Sequence, residues 1–139
     1  MVRHDLIAQK LATARARLKA SEEIFGKPIE DFLSDEKERD LATFYLFLAI
    51  QECIDIAAHW VADADWGPPE EAGAAFEILR DKKVIDAELA QGLRAATGLR
   101  NRIAHGYTAV DPRRLHGEYR KGAEVLHRFL AIAAEAVGL

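Results

Sequence analysis

Apolar residues recur along this chain at helical spacing, and nowhere alternate as they do in a half-buried strand. Ile7, Leu11, Ala14, Leu18 and Phe25 mark one face of a first helix over about 2–25, with Gly26 and Pro28 as its stop. Residues 27–33 read as a connector anchored by Ile29, Phe32 and Leu33. Ser34 is placed as the N-cap of a second helix, with Asp35 and Glu36 in its first turn, and this helix runs to about 64. Between 41 and 56 it is apolar on most sides: Phe44, Leu48, Cys53 and Ile56, with Tyr45, Phe47 and Ile54 elsewhere on its circumference. One packing face does not cover so much apolar surface, so part of it is expected to meet a second subunit. Asp55 interrupts the run and needs a partner if buried, for which an Arg later in the chain is the candidate. His59 and Trp60 read as packing residues.

The sequence Asp65-Trp66-Gly67-Pro68-Pro69 breaks the second helix. A short third helix is expected over 70–79, with Phe76 and Leu79 inward, followed by a turn over 81–85 that buries Val84 and Ile85. Asp86 caps a fourth helix extending through 105, with Leu89, Leu93, Ala96 and Ile103 as its core stripe. Gly98 within it costs about 1 kcal/mol relative to Ala, and admits a close helix approach. Asp111 as N-cap and Pro112 at the first helical position start a fifth helix, with Leu115, Tyr119, Leu126, Phe129 and Ala133 inward. The expected fold is all-α, a four- to five-helix up-and-down bundle forming a single domain over 1–139.

Composition agrees with this pattern. Half of the 139 residues are hydrophobic and 30% are charged, which describes a chain able to bury a core and not a disordered one. The longest apolar run, residues 44–50, is too short to span a bilayer and no leader pattern precedes it, so the expected location is cytoplasmic, with no membrane partner. One cysteine, Cys53, excludes an internal disulfide and a cysteine-based metal site. The net charge of −4 opposes general nucleic-acid affinity, but it is uneven: from Arg94 to Arg128 eight basic residues face three acids, a local +5 against −9 elsewhere. That basic third suits either phosphate contact or a solvated helix face.

The densest chemistry lies at residues 100–107, Arg-Asn-Arg-Ile-Ala-His-Gly-Tyr. Asn101 and His105 are four apart and share a helix face, with Arg100 on the adjoining one. Gly106 can adopt the left-handed conformation that ends helices, which would let Tyr107 swing back toward them. An Arg and a His at a helix carboxyl end also serve simply as cap chemistry, and both readings stand on geometry alone. No His-Glu-x-x-His pattern, phosphate-loop glycines or carboxylate cluster is present, and the two serines, Ser21 and Ser34, lie far away in sequence. Neither metal nor cofactor is expected.

This stretch resembles the Arg-Asn-x-x-x-His-x-Tyr signature of HepT-like proteins, a branch of the HEPN superfamily of small helical toxins and ribonucleases. Arg100, Asn101, His105 and Tyr107 match all four positions. The order of segments, from the apolar helix containing Ala-Ile-Gln-Glu-Cys-Ile to the Asp-Pro start of the last helix, is similar as well. The resemblance implies a HEPN-like bundle acting as the toxin of a toxin–antitoxin pair, a metal-independent endoribonuclease with Arg100 and His105 as catalytic residues and Asn101 in support. Such chemistry suits these side chains: His moves protons near neutral pH, and Arg offers a fixed fork to phosphate. One His per chain, where both an acid and a base are wanted, implies a homodimer. The family further implies a minimal nucleotidyltransferase antitoxin as partner, with Tyr107 as its AMPylation acceptor. The alternative is a non-catalytic helical subunit that binds such a nucleotidyltransferase, or its substrate.

Overall fold

A computed structural model describes residues 4–67, 71, 73–106 and 110–139. They form six helices, of which four are long, α1 (His4–Phe25), α3 (Glu36–Asp63), α5 (Ala87–Ala104) and α6 (Pro112–Ala136), and two short, α2 (Ile29–Ser34) and α4 (Ala74–Asp81). The expected all-α bundle is therefore what the chain adopts. Register shows the pairing: Lys10 meets Asp55 while Arg17 lies over Tyr45, so α1 and α3 run antiparallel. Asp86 meets Arg128 and Gly92 meets Val125, so α5 and α6 do too.

The apolar stripes buried as their spacing required. Ile7, Leu11, Ala14 and Leu18 on α1 and Leu89 and Leu93 on α5 are all at most 1% exposed. Phe129 is fully buried and meets Phe76 edge to face at 5.4 Å. Phe25 at the end of α1 stacks on Tyr119 of α6 at 4.1 Å and on Phe32 of α2 at 4.9 Å. The buried Ser21 hydroxyl donates to the Leu18 carbonyl at 2.7 Å, which leaves it to accept from the Tyr119 hydroxyl at 2.5 Å. Burial pushes the Tyr119 phenol above its usual range, and Glu22 nearby adds to the shift. Burial, with Glu52 nearby, does the same to the Cys53 thiol and keeps it protonated.

Helix α3 is the axis of the bundle. Its 28 residues span roughly 42 Å at 1.5 Å each, and it touches every other helix. It is long and apolar enough to cross a membrane by length and composition, yet half of its most apolar window is buried inside the bundle. This accounts for most of the apolar surplus seen in the sequence: Cys53, Ile54, Ile56, Ala57 and Trp60 are covered by the chain's own helices. What remains uncovered is a shorter stripe, with Leu41 39% and Phe44 43% exposed and Tyr45, Phe47 and Leu48 half-buried.

Three local expectations are corrected. Residues 29–34 are a helix and not a plain connector: the carbonyl of the N-cap Pro28 accepts the first helical bond from the Phe32 N–H at 3.0 Å, and Phe32 anchors the single buried face. The N-cap of α3 is Asp35 and not Ser34: the Asp35 carboxylate accepts from the Glu38 N–H at 3.1 Å, while Ser34 closes α2 through the Asp31 carbonyl. Helix α4 begins at Ala74, after Gly73 at φ 88°; the expected start at residue 70 falls outside the described residues.

The close helix approach lies at Gly92 and not at Gly98. A methyl at 92 would come within 2.8 Å of the Val125 side chain on α6, whereas one at 98 would meet only the Arg102 guanidinium at 3.7 Å. Gly98→Ala is therefore expected to stabilise the fold by about 0.5–1 kcal/mol through helix propensity. Gly92→Ala is expected to destabilise it by about 1 kcal/mol, overpacking outweighing the same propensity gain. Paired thermal melts check both; a higher midpoint for Gly92→Ala than for Gly98→Ala would contradict this packing.

Candidate functional site

The signature stretch is the last turn and a half of α5. Asp86 starts this helix by accepting from the Leu89 N–H at 2.7 Å, and Leu89, Leu93, Thr97 and Ile103 seat it on the core. It ends where the sequence indicated: the His105 N–H still reaches the Asn101 carbonyl at 3.1 Å, and Gly106, at φ 133°, has left helical geometry. The glycine is required there because side-chain-bearing residues rarely adopt that conformation. Tyr107 lies outside the described residues.

Arg100 is half-buried and points across to α3, while Asn101 and His105 are exposed. The Arg100 Nε–H donates to the Gln51 Oε1 at 2.8 Å, and Nη1 donates to the Asn101 Oδ1 at 2.9 Å. The guanidinium carbon sits 5.6 Å from the centroid of Phe47, a cation–π distance. Phe47 stacks in turn with the exposed Phe44, their centroids 6.3 Å apart. His105 is exposed, and among the described residues no hydrogen-bond partner holds its ring.

Asn101 engages the guanidinium of its neighbour. One sequence expectation shifts here. Asp55 is not met by an Arg of the signature helix: the Gln51 Nε2 donates to the Asp55 Oδ1 at 3.0 Å, and its ionic partner is Lys10 at 3.5 Å. Gln51 thus stands between the two charges. Neither Gln51 nor Phe47 was recognised as part of this site from sequence. The available signal was that Gln51, one turn before Asp55, interrupts the same apolar run.

Other candidate centres are less well equipped. A groove of about 640 Å³ between α1 and α6 is lined by Glu22, Phe25, His116, Tyr119, Arg120 and His127. Its histidines are already engaged, His116 with the Lys27 carbonyl at 2.8 Å and His127 with the Glu22 carboxylate at 2.6 Å. Among the described residues no group of three or more His, Cys, Asp or Glu is placed to hold a metal ion. The basic third of the chain is partly neutralised: Arg94 pairs with Glu77, Arg114 with Glu118, and Arg128 with Asp86. Arg102, Arg120 and Lys121 have no acidic partner among the described residues.

A helical bundle that holds an Arg against an Asn at one helix end, with an exposed His one turn on, brings together side-chain types able to contact phosphate and to carry protons. Residues 15–133 match the ribonuclease HepT-like family, and the chain belongs to that family. It is 29% identical over 108 residues to the mRNA nuclease HepT of Shewanella oneidensis, covering 78% of this chain and 80% of that one. It is 31% identical over 84 residues to the tRNA nuclease HepT of Aphanizomenon flos-aquae, covering 60% of this chain and 57% of that protein. Among solved structures it resembles the tri-AMPylated Shewanella oneidensis HEPN toxin in complex with MNT antitoxin, with a TM-score of 0.84 at 25% identity over 92% of this chain and 96% of the other. The fold also matches a toxin–antitoxin structure with AMP-PNP, with a TM-score of 0.85 at 24% identity over 92% and 96% of the two chains.

Proposed function

We propose that this chain, a member of a ribonuclease family, is the toxin of a toxin–antitoxin pair, cleaving cytoplasmic RNA without a metal at a site built on Arg100 and His105. The observation that carries this reading is the state of the two side chains. Arg100 is held by Gln51 and Asn101 over Phe47, and the His105 ring beyond it is open to solvent. An oriented guanidinium suits a phosphate, and an open imidazole suits proton transfer.

In the proposed reaction the ribose 2′-oxygen attacks the adjacent phosphorus as a base removes its proton. A phosphorane forms, whose added negative charge Arg100 stabilises. The bond to the 5′-oxygen then breaks as an acid protonates the leaving oxygen. The products are a 2′,3′-cyclic phosphate and a 5′-hydroxyl. Base and acid are both imidazoles, one from each of two chains. Antitoxin control works by transfer of AMP onto Tyr107, which brings phosphate charge against Arg100.

The apolar stripe on α3 supports the dimer because it leads to the site: exposed Phe44, one turn on from exposed Leu41, stacks with Phe47, which lies under Arg100. Two copies joined along this stripe bring their signature helices together. Sedimentation at micromolar concentration is expected to show two chains, and Phe44→Arg is expected to yield monomers that have lost cleavage. A strict monomer for the unaltered chain would contradict the two-histidine site.

A further inference from the structure

The geometry assigns Gln51 as the positioning residue for Arg100, the centre of a polar relay through which α1 and α3 aim the guanidinium on α5. This rests on the reading of Arg100 as the phosphate-binding group. The relay runs from Lys10 to Asp55 at 3.5 Å, from Asp55 to Gln51 at 3.0 Å, from Gln51 to Arg100 at 2.8 Å, and from Arg100 to Asn101 at 2.9 Å. Lys10 is anchored a second time by Glu52 at 3.4 Å, so the chain of bonds ends on a half-buried ion cluster and not on a free side chain.

A carboxamide suits the middle position. Arg100 can only donate, and an ionised Asp55 can only accept. Gln51 must therefore accept on one atom and donate from the other, and its two neighbours fix which way round its amide lies. A carboxylate at 51 would accept from Arg100 but would face Asp55 one turn away with like charge. A lysine would satisfy Asp55 and repel Arg100. An apolar residue would serve neither.

The relay leaves the working part of the guanidinium free. Of the five N–H groups on an Arg, one is used by Gln51 and one by Asn101. The guanidinium carbon lies over the Phe47 ring, 5.6 Å from the centroid, a further contact with α3. Among the described residues nothing else takes the N–H groups on Nη2 or the remaining one on Nη1, which are available to a phosphate. An Arg side chain otherwise loses rotamer entropy when it binds, and holding it beforehand moves that loss out of the reaction step.

The test uses the full chain. Gln51→Met keeps length and helix propensity while removing both hydrogen bonds. It is expected to lower kcat for RNA cleavage about 10- to 100-fold with less than about 3-fold change in KM, the pattern of misplacement at the transition state. Side-chain ¹⁵N spectra give a reading independent of activity. The unaltered protein should show an Arg Nε–H signal slowed in solvent exchange, assigned to Arg100 by its loss in Arg100→Lys, and this signal should be unprotected in Gln51→Met. The double variant Gln51→Glu with Asp55→Asn reverses the middle bond's polarity, because the new amide at 55 donates to the new carboxylate at 51. It should recover the protected signal. If the unaltered chain cleaves no RNA, the nuclease reading fails while the spectra still decide the relay. An unprotected Arg100 Nε–H in the unaltered protein, protection unchanged by Gln51→Met, or loss of protection with kcat within about 2-fold of the original would each overturn the assignment.

Discussion

His105→Ala is expected to slow RNA cleavage by about 10²- to 10⁴-fold, the range for removing a general acid or base. In a two-fold dimer the substitution removes both imidazoles, so the upper part of that range is expected. Arg100→Ala should cost a similar factor by a different route, leaving the phosphorane without its aimed counter-charge. The two differ in their effect on the fold. His105 is exposed with no ring partner among the described residues, so its loss should change stability by less than about 0.5 kcal/mol. Arg100 also packs over Phe47 and bonds to Gln51, so its removal should lower stability by about 1 kcal/mol. Single-turnover cleavage beside thermal melts of the same preparations separates these effects. A large fall in melting temperature for His105→Ala would mean that the residue is structural.

The second large effect is expected at Tyr107. Gly106 follows the end of α5 with φ 133°, and Tyr107 is close to Arg100 and His105 in sequence. A phenol there can attack the α-phosphate of ATP held by a nucleotidyltransferase, forming a phosphodiester to AMP and releasing pyrophosphate. Each added phosphate carries negative charge toward Arg100 and competes with RNA. Tyr107→Phe removes only the acceptor oxygen. Co-incubation with the cognate nucleotidyltransferase and ATP, followed by intact mass, should show AMP-sized gains on the unaltered chain and none on Tyr107→Phe. The altered toxin should also stay active in the presence of its partner. Mass gains that persist unchanged on Tyr107→Phe would place the acceptor elsewhere.

The long helices were legible because their apolar residues repeat over many turns and their starts carry strong caps, Asp86 and Asp111. Helix α2 was not, because six residues with one buried side chain hold too few turns for a period to show. Asp35 and Ser34 are both good caps side by side, and what decided between them was that α2 had already claimed Ser34. Gly92 and Gly98 look alike in sequence; only the placement of Val125 on α6 tells which admits a neighbour. The apolar surplus on α3 was legible, but not which part of it the chain covers itself, because that depends on how the other helices, all in contact with α3, pack around it. At the site, the signature located Arg100, Asn101 and His105 at the expected helix end. Their support from α3 was hidden because Gln51 and Phe47 are 49 and 53 positions from Arg100 and meet it only when α5 packs across.

The most direct measurement is cleavage of a labelled RNA by the purified chain in excess chelator, with the ends of the products identified and the same RNA carrying a single 2′-deoxy substitution at the cleaved position as control. Metal-independent attack by the 2′-hydroxyl predicts full activity in chelator, 2′,3′-cyclic phosphate ends, no cut at the deoxy position, and loss of cleavage in His105→Ala. Activity that disappears in chelator, or that survives His105→Ala, would contradict it.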